Sequence, residues 1–319
     1  MTNSKGYIVL LNPDYDPVIE REMFRQSGYE FHSAQCADDD ETIAAAKDAA
    51  GIINIYCKIT EKVARNLSKC KVIVRAGVGY DMIDVKACRA HGIEVCNMPD
   101  YCTEEVADHA VALMLMLQRK LNQHNMNVQK GEWNSELVGE VRRLNTLTLS
   151  VIGFGAIGRR FAAKMLEITP NIIAYDPYVP EEYFQKARVR KVGLEESCIE
   201  SDMISLHCPL TPDNYHLISG EMISKMTRKP IIVNVSRGGL IDQAHLIKAL
   251  NSGIISAVGL DVVEDEPKIP AELLNRENVI ITPHTAWYSI EASLEDRTRC
   301  VEEVLRVIRG EPPRNPVPK

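Results

Sequence analysis

The chain has 319 residues, 45% hydrophobic and 25% charged, with 37 basic against 44 acidic side chains and a formal net charge of −7. That length makes two domains of roughly 100–200 residues the expectation, with a core that needs neither disulfide nor metal. A net anion is a poor partner for a phosphate backbone, so nucleic acid is not the expected partner. The longest apolar run, Ala110–Leu117, falls well short of the roughly 20 residues that span a bilayer, so no membrane segment is expected. The opening residues, MTNSKGYIVLLNPDYDP, contain no long apolar signal stretch. Nine scattered cysteines form no CxxC pair and read as reduced thiols. These features point to a cytoplasmic location.

Taken in order, short β-branched runs alternate with helix-like stretches. Tyr7–Leu11 precedes Pro17–Gln26; Gly51–Tyr56 precedes Thr60–Leu67; Lys71–Arg75 precedes Asp84–His91; Ile93–Cys96 precedes Thr103–Gln118. That last stretch is apolar nearly all round, so it reads as buried on several sides and is placed between two domains. A polar segment from about Arg119 to Asn145 follows. Alternation then resumes through Leu147–Ile152, Ile157–Leu166, Asn171–Tyr175, Met203–His207, Ser219–Met226, Ile231–Val235, Gln243–Asn251, Ala257–Asp261 and Val279–Ile281. A final helix spans Ser289–Ile308. Strand–helix alternation implies parallel sheets with crossover helices, hence an α/β fold in two blocks.

The run Leu149–Gly158, LSVIGFGAIG, is a strand leading into GxGxxG and a helix. Gly153 permits the tight turn, Gly155 lets backbone approach a pyrophosphate, and Gly158 lets helix and strand pack closely. The next strand, Ile172–Tyr175, ends in Asp176, whose carboxylate can accept from ribose hydroxyls and repels a 2′-phosphate. NAD is therefore favoured over NADP.

Three later strands end in polar groups: Asn234-Val-Ser-Arg237, Asp261-Val-Val-Glu-Asp-Glu266 and Thr282-Pro-His284. In open α/β sheets, ligands bind beyond the carboxyl ends of strands. Arginine can fork onto a substrate carboxylate or carbonyl, and histidine is the usual proton donor near neutrality. A carboxylate beside such a histidine fixes its tautomer and favours its charged form. Each residue singly also fits a structural role, and their combination suits hydride transfer to a ketone.

The segments VNVSRGGLID, LDVVEDEP, TPHTAW and VIGFGAIG together resemble the D-isomer-specific 2-hydroxyacid dehydrogenases. VRAGVGYDMIDVK, GIEVCNMP, TEEVAD, YDPY, LHC and PHTAWYS are most similar to the C-terminal binding protein branch of that family. The resemblance implies a catalytic triad of Arg237, Glu266 and His284, with no metal. His284 would protonate the carbonyl oxygen, Glu266 support it and Arg237 orient substrate. It implies NAD contacts at Gly153, Phe154, Gly155, Ala156, Ile157, Gly158, Asp176, His207, Cys208, Pro209, the Val235–Ser236–Arg237 backbone, Asp261 near the carboxamide, His284 and Trp287. Ala156 stands where the family often has a pyrophosphate-binding arginine, a role open to Arg159 or Arg160. Substrate contacts are implied at Tyr56, Cys57, Arg75, Val78, Gly79 and Trp287, with the Gly77–Gly79 turn holding a carboxylate. Arg75 also reads as a strand-end ion pair to Asp81 or Asp84, and Trp287 as domain packing.

The implied architecture is two Rossmann-like or flavodoxin-like domains. A discontinuous substrate domain, residues 1–101 and 285–319, would flank an inserted coenzyme domain, residues 102–284, around a closing cleft. A homodimer through the coenzyme domain is implied, with Arg119–Asn145 as its arm. Tyr56-Cys57-Lys58 replaces the Arg-Ser pair of phosphoglycerate dehydrogenases, which argues against a phosphorylated substrate. Glu266, where formate dehydrogenases carry Gln, argues for a 2-hydroxy acid and 2-oxoacid pair. Trp287 and Tyr288 hint at an apolar or aromatic side chain on that acid. The alternative is an NAD(H)-responsive regulator that binds peptides, as C-terminal binding proteins do. A first strand at Tyr7 and a short tail after Gly310 favour the enzyme.

Overall fold

The computed structural model describes residues 6–318; residues 1–5 and 319, at the ends of the expected outer domain, lie outside the described residues. The chain divides into two compact units. One takes in the described residues up to Tyr101 and from Ser289 onward; the other is Cys102–Tyr288. The second crossing therefore falls after Tyr288, not after His284. The cause is local: the Thr285 and Ala286 amides donate to the buried Asp261 carboxylate, which ties this segment to the second unit.

The first unit holds five parallel strands: β1 (Tyr7–Leu11), β2 (Glu30–Ala34), β3 (Ala49–Asn54), β4 (Val72–Arg75) and β5 (Glu94–Cys96). Their order is β2-β1-β3-β4-β5, the flavodoxin-like arrangement. β1, β3 and β4 are almost wholly buried, as parallel strands covered on both faces must be. Helices α1 (Val18–Gln26), α2 (Asp39–Ala46), α3 (Glu61–Arg65) and α4 (Val85–Ala90) make the crossovers. Sequence reading missed β2 and α2. β2 is an edge strand paired only with β1, and its EFHSA sequence stays largely exposed, so it carries no apolar signal. α2 opens with three acidic residues behind the Asp38 N-cap and buries only Thr42 and Ala46.

The second unit begins with α5 (Thr103–Gln118) and α6 (Leu121–Gln129). Its sheet follows: β6 (Leu149–Ile152), β7 (Ile172–Tyr175), β8 (Arg190–Lys191), β9 (Met203–Leu206), β10 (Ile231–Asn234), β11 (Ala257–Leu260) and β12 (Val279–Ile281). The order is β12-β11-β10-β9-β6-β7-β8, all parallel. The direction of winding reverses between β6 and β9, which places the ligand crevice of such a sheet beyond Ile152 and Leu206. Crossovers run through α7 (Ala156–Met165), α8 (Glu181–Ala187), α9 (Leu194–Glu200), α10 (Gly220–Ser224) and α11 (Gln243–Ser252). α5 was expected between two domains. It belongs to the second unit, packed on α7, β10 and β11 through Val106, Ala110, Leu113, Met114 and Leu117. No helix among the described residues is long and apolar enough to cross a membrane.

The last helix, α12 (Ile290–Ile308), returns to the first unit and packs on α1, β3 and β4. Its N-cap is Ser289, whose hydroxyl accepts from the Ala292 amide at 2.9 Å. Cys300, Val301, Val304, Leu305 and Ile308 form the apolar stripe it buries.

Candidate active site

The glycine fingerprint is dictated first by packing. Gly153 has φ +90°, and a Cβ there would lie 2.4 Å from the Cys208 amide nitrogen. At Gly158 a Cβ would fall 2.0 Å from the Gly153 carbonyl oxygen. These two glycines let β6, α7 and the 207–208 turn close on one another. Gly155 differs: its φ is ordinary and a Cβ would meet nothing within 4 Å. The fold does not require glycine there, whereas backbone that must come against a ligand does. The open space lies at the N-terminus of α7, where free amides and the helix dipole favour a phosphate.

Other fingerprint side chains face inward. Phe154 is buried and stacks on Phe184 with centroids 4.5 Å apart, so its backbone alone is available to a cofactor. Ala156 is exposed and Ile157 half-buried. Arg159 donates from Nη1 to the Phe154 carbonyl at 2.8 Å, inside the fingerprint, whereas Arg160 is turned to Glu104 on α5. Of the two arginines, Arg159 lies at the phosphate turn. Asp176 accepts from the Phe154 amide at 2.8 Å through Oδ2, and from Tyr178 and Val179 through Oδ1. An acceptor position on Oδ2 stays open for a ribose hydroxyl.

His207 packs against Phe161 with the rings tilted and centroids 4.8 Å apart, and its Nε2 lies 2.8 Å from Ser205 Oγ. Burial pushes its pKa down to about 3, so it is a neutral packing group. Burial likewise pushes the Cys208 thiol up to about 12, which makes it a poor nucleophile. The Pro209 carbonyl accepts from Asn214. Val235 is buried, and Ser236 Oγ donates to the Leu206 carbonyl at 2.9 Å, linking the ends of β10 and β9. These residues shape the turn with their backbones.

The ends of β10, β11 and β12 are adjacent. His284 Nδ1 lies 2.8 Å from Glu266 Oε2. An ionised carboxylate accepts only, so Nδ1 carries the proton and Nε2 is left to exchange one. Glu266 Oε1 also accepts from the Val263 amide at 3.2 Å. Glu264 is already committed: it takes hydrogen bonds from Tyr215 Oη and, at 2.7 Å, from His216 Nε2. Geometry therefore pairs His284 with Glu266 and not with Glu264. The Arg237 segment follows β10, and its Nη1 donates to the Ser236 carbonyl. The next residue, Gly238, comes so close to the β11 loop that a Cβ would lie 2.0 Å from the Val263 carbonyl. The Arg237 and Glu266 loops are thus in van der Waals contact.

His284 has φ +52°, an uncommon conformation for a residue with a side chain. Asp261 enforces it. Its backbone carbonyl accepts from the His284 amide at 2.8 Å. Its carboxylate, only 2% exposed, accepts from Thr282 Oγ1 at 2.6 Å, Thr285 N at 2.9 Å and Ala286 N at 2.9 Å. Thr282 in turn lies 2.9 Å from His109 Nε2 on α5. Since Thr282 gives its proton to Asp261, His109 is the donor to Thr282. Asp261 was expected near the nicotinamide carboxamide; most of its acceptor capacity is spent holding the histidine loop. His109 and the link through Thr282 escaped sequence reasoning, although a histidine inside the apolar helix 103–118 was a signal. Trp287 is half-buried against Tyr288, edge to face at 5.5 Å.

The first unit carries a separate feature. The Gly77 carbonyl accepts from the Met98 amide, and the Val78 carbonyl accepts from Asn97 Nδ2 at 2.6 Å. In a trans peptide the N–H opposes the C=O, so the Val78 and Gly79 amides both turn away from residues 97–98. Arg75 is folded over this turn: a Cβ on Gly77, whose φ is +131°, would lie 2.1 Å from Arg75 Nη1. The turn and the Arg75 guanidinium are thus neighbours in the first unit. Asp84 caps α4 by accepting from the Ala87 amide. Tyr56 is exposed. Cys57, expected to touch substrate, points its thiol inward, 3.1 Å from the Thr42 hydroxyl; Asn54 fixes its backbone through both N–H and C=O.

The family profile described as D-isomer specific 2-hydroxyacid dehydrogenase, NAD binding domain, matches residues 111–286. A D-3-phosphoglycerate dehydrogenase of Methanocaldococcus jannaschii is 40% identical over 274 residues, covering 85% of this chain and 52% of that protein. The chain spans about half the length of the phosphoglycerate dehydrogenases it matches. A glyoxylate reductase of Korarchaeum cryptofilum is 36% identical over 278 residues, covering 86% and 84% of the two chains. The crystal structure of D-lactate dehydrogenase from Aquifex aeolicus, complexed with NAD and lactic acid, has a TM-score of 0.86 at 30% identity and covers 95% and 96%. These relatives do not carry the narrower resemblance to the C-terminal binding protein branch. With the strand order, the fingerprint and these matches in agreement, the chain belongs to the D-isomer-specific 2-hydroxyacid dehydrogenase family, and its second unit is that family's NAD-binding domain.

Proposed function

We propose that the chain is an NAD-dependent oxidoreductase that interconverts a D-2-hydroxy acid and its 2-oxoacid. The observation that supports this most is the His284–Glu266 pair at 2.8 Å, on a loop fixed by Asp261. Bound NADH supplies the hydride. Gly153–Gly158, Arg159 and Asp176 hold its pyrophosphate and ribose. His284 delivers a proton from Nε2 to the carbonyl oxygen and takes it back in the oxidative direction. Glu266 keeps Nδ1 protonated and stabilises the imidazolium. Arg237 orients the substrate through its guanidinium. In the first unit, Arg75 with the Val78 and Gly79 amides binds the carboxylate. The expected substrate is a small unphosphorylated acid.

Wild-type protein given NADH and a panel of glyoxylate, hydroxypyruvate, pyruvate and larger 2-oxoacids is expected to oxidise NADH with at least one of them. No turnover across the panel would remove the enzymatic reading. Cofactor choice is a second expectation. An ionised Asp176 beside a ribose phosphate disfavours NADPH by at least about tenfold in kcat/KM. Equal or better use of NADPH contradicts the ribose assignment, and Asp176→Ala is expected to narrow the preference.

The protein is further proposed to be a homodimer through the arm after α5. Trp133 is 88% exposed, with Leu121, Val128 and Leu137 each about half exposed. Exposed apolar groups concentrated on one segment mark an interaction surface. Sedimentation is expected to give a dimer in the wild type and a monomer in the Trp133→Ser, Leu137→Ser double variant. A wild-type monomer would end this reading.

A further inference from the structure

Tyr215 and His216 follow the 3₁₀ turn Pro212–Asn214 and precede α10, apart from the residues given roles above. His216 has φ +55°, uncommon for a residue with a side chain. Backbone pairing holds it there. The His216 amide donates to the Gly239 carbonyl at 2.8 Å. Two residues on, the Ile218 amide donates to the Leu240 carbonyl at 2.9 Å, and the Ile218 carbonyl accepts from the Asp242 amide at 3.1 Å. Residues 216–218 are thereby laced along 239–242, the segment that follows Arg237. The His216 side chain then reaches a further loop. Its Nε2 lies 2.7 Å from Glu264 Oε1, and its Nδ1 faces Asp242, the N-cap of α11, at 3.7 Å. Burial raises the Glu264 carboxyl, but the bonds from Tyr215 and His216 lead the contacts that more than offset this and hold it below the ordinary carboxylate range. An ionised Glu264 only accepts, so Nε2–H is the donor.

Glu264 stands two residues before Glu266, in the turn 263–266. The start of that turn, Val263, is packed against Gly238. Bonds from the Glu264 amide to Gln243 Oε1 and from the Val263 amide to Glu266 Oε1, both 3.2 Å, also shape it, and each is longer than the His216–Glu264 bond. The Glu266 side chain is 37% exposed, so packing alone does not fix where it points. His216 thus ties the segment after Arg237 to the loop that carries Glu266. We propose that His216 is a positioning residue: through Glu264 it holds the 263–266 turn where Glu266 meets His284 Nδ1. This deepens the dehydrogenase reading and rests on it for the reaction that Glu266 and His284 serve.

The test replaces His216 in two ways. Asparagine accepts φ +55°, but its amide stops short of the position of Nε2; glutamine is long enough to carry a donor there. Glu264→Ala removes the acceptor instead. Hydrogen exchange of residues 262–268 in the full chain needs no turnover. It is expected to quicken about fivefold in His216→Asn and in Glu264→Ala, and to stay near the wild-type rate in His216→Gln. With the 2-oxoacid used best, kcat is expected to fall about tenfold in both disrupting variants, with KM within about twofold of wild type, and to be largely restored in His216→Gln. In a Glu266→Ala background, His216→Asn is expected to cost less than about twofold, because nothing is left for it to position. A residue that only supports the fold would cost the same factor in both backgrounds. Unchanged exchange, unchanged kcat in both disrupting variants, a loss shared by His216→Gln, or the same loss with and without Glu266 overturns the proposal. If wild type turns over no 2-oxoacid while exchange responds as stated, the dehydrogenase reading falls and the clamp on the 263–266 turn stands.

Discussion

His284→Asn is expected to lower kcat by about 10²–10⁴-fold, the range for loss of a positioned acid–base group. Asparagine is the informative replacement because His284 has φ +52°, a conformation asparagine adopts more readily than alanine. The variant removes the imidazole without straining the loop. NADH affinity and melting temperature should then stay near wild type. Glu266→Gln, which leaves the ring but alters the group fixing its tautomer, should fall between the two. Stopped and continuous NADH-oxidation assays read the loss directly. A kcat within a few-fold of wild type would remove His284 from the proton transfer.

Asp261→Asn is expected to damage stability and activity together. The carboxylate receives the Thr282 hydroxyl and the Thr285 amide on Oδ1, and the Ala286 amide on Oδ2. An asparagine has one oxygen for these positions. Whichever way the amide is turned, its NH2 group faces at least one buried donor. A buried donor left without an acceptor costs about 1–3 kcal/mol, and here the loss includes a repulsive contact. A drop of about 2–4 kcal/mol in unfolding free energy is expected from denaturant melts. The same change frees the loop carrying His284. A displacement of about 1 Å at a reacting group costs on the order of 10²-fold, so kcat should fall by that factor even in intact protein. Wild-type melting with wild-type kcat would contradict the positioning role given to Asp261.

The contrast between Asp261 and His284 shows what could be read from the chain alone. Strand ends bearing Arg237, Asp261 and His284 were visible because runs of buried β-branched residues stop abruptly at polar ones. The fingerprint was visible because its glycines sit between a strand and a helix. The parallel α/β class followed from strand–helix alternation, whereas the order of the strands came only with the structure. What escaped was of two kinds. β2, α2 and the α8–β8–α9 stretch carry short, interrupted apolar patterns, and a polar edge strand such as β2 is specified by its pairing with β1 rather than by its own pattern. The second kind is side chain to backbone bonding across loops. Nothing in the spacing shows that Asp261 would hold residues 282–286, that His109 would reach Thr282, or that Tyr215 and His216 would occupy Glu264 and leave Glu266 for His284. At Cys57 the family likeness suggested a substrate contact, and the direction of the side chain was not legible. Its thiol is drawn into the core beside Thr42.

In the proposed reaction this constellation reduces the carbonyl of a 2-oxoacid to one hand of hydroxy acid. It is tested most directly by letting wild-type protein run to completion with NADH and the 2-oxoacid it uses best, then resolving the product by chiral chromatography. The D-2-hydroxy acid is expected in amounts equal to the NADH consumed; L-2-hydroxy acid, a racemate, or NADH loss without hydroxy acid would contradict the proposed reaction.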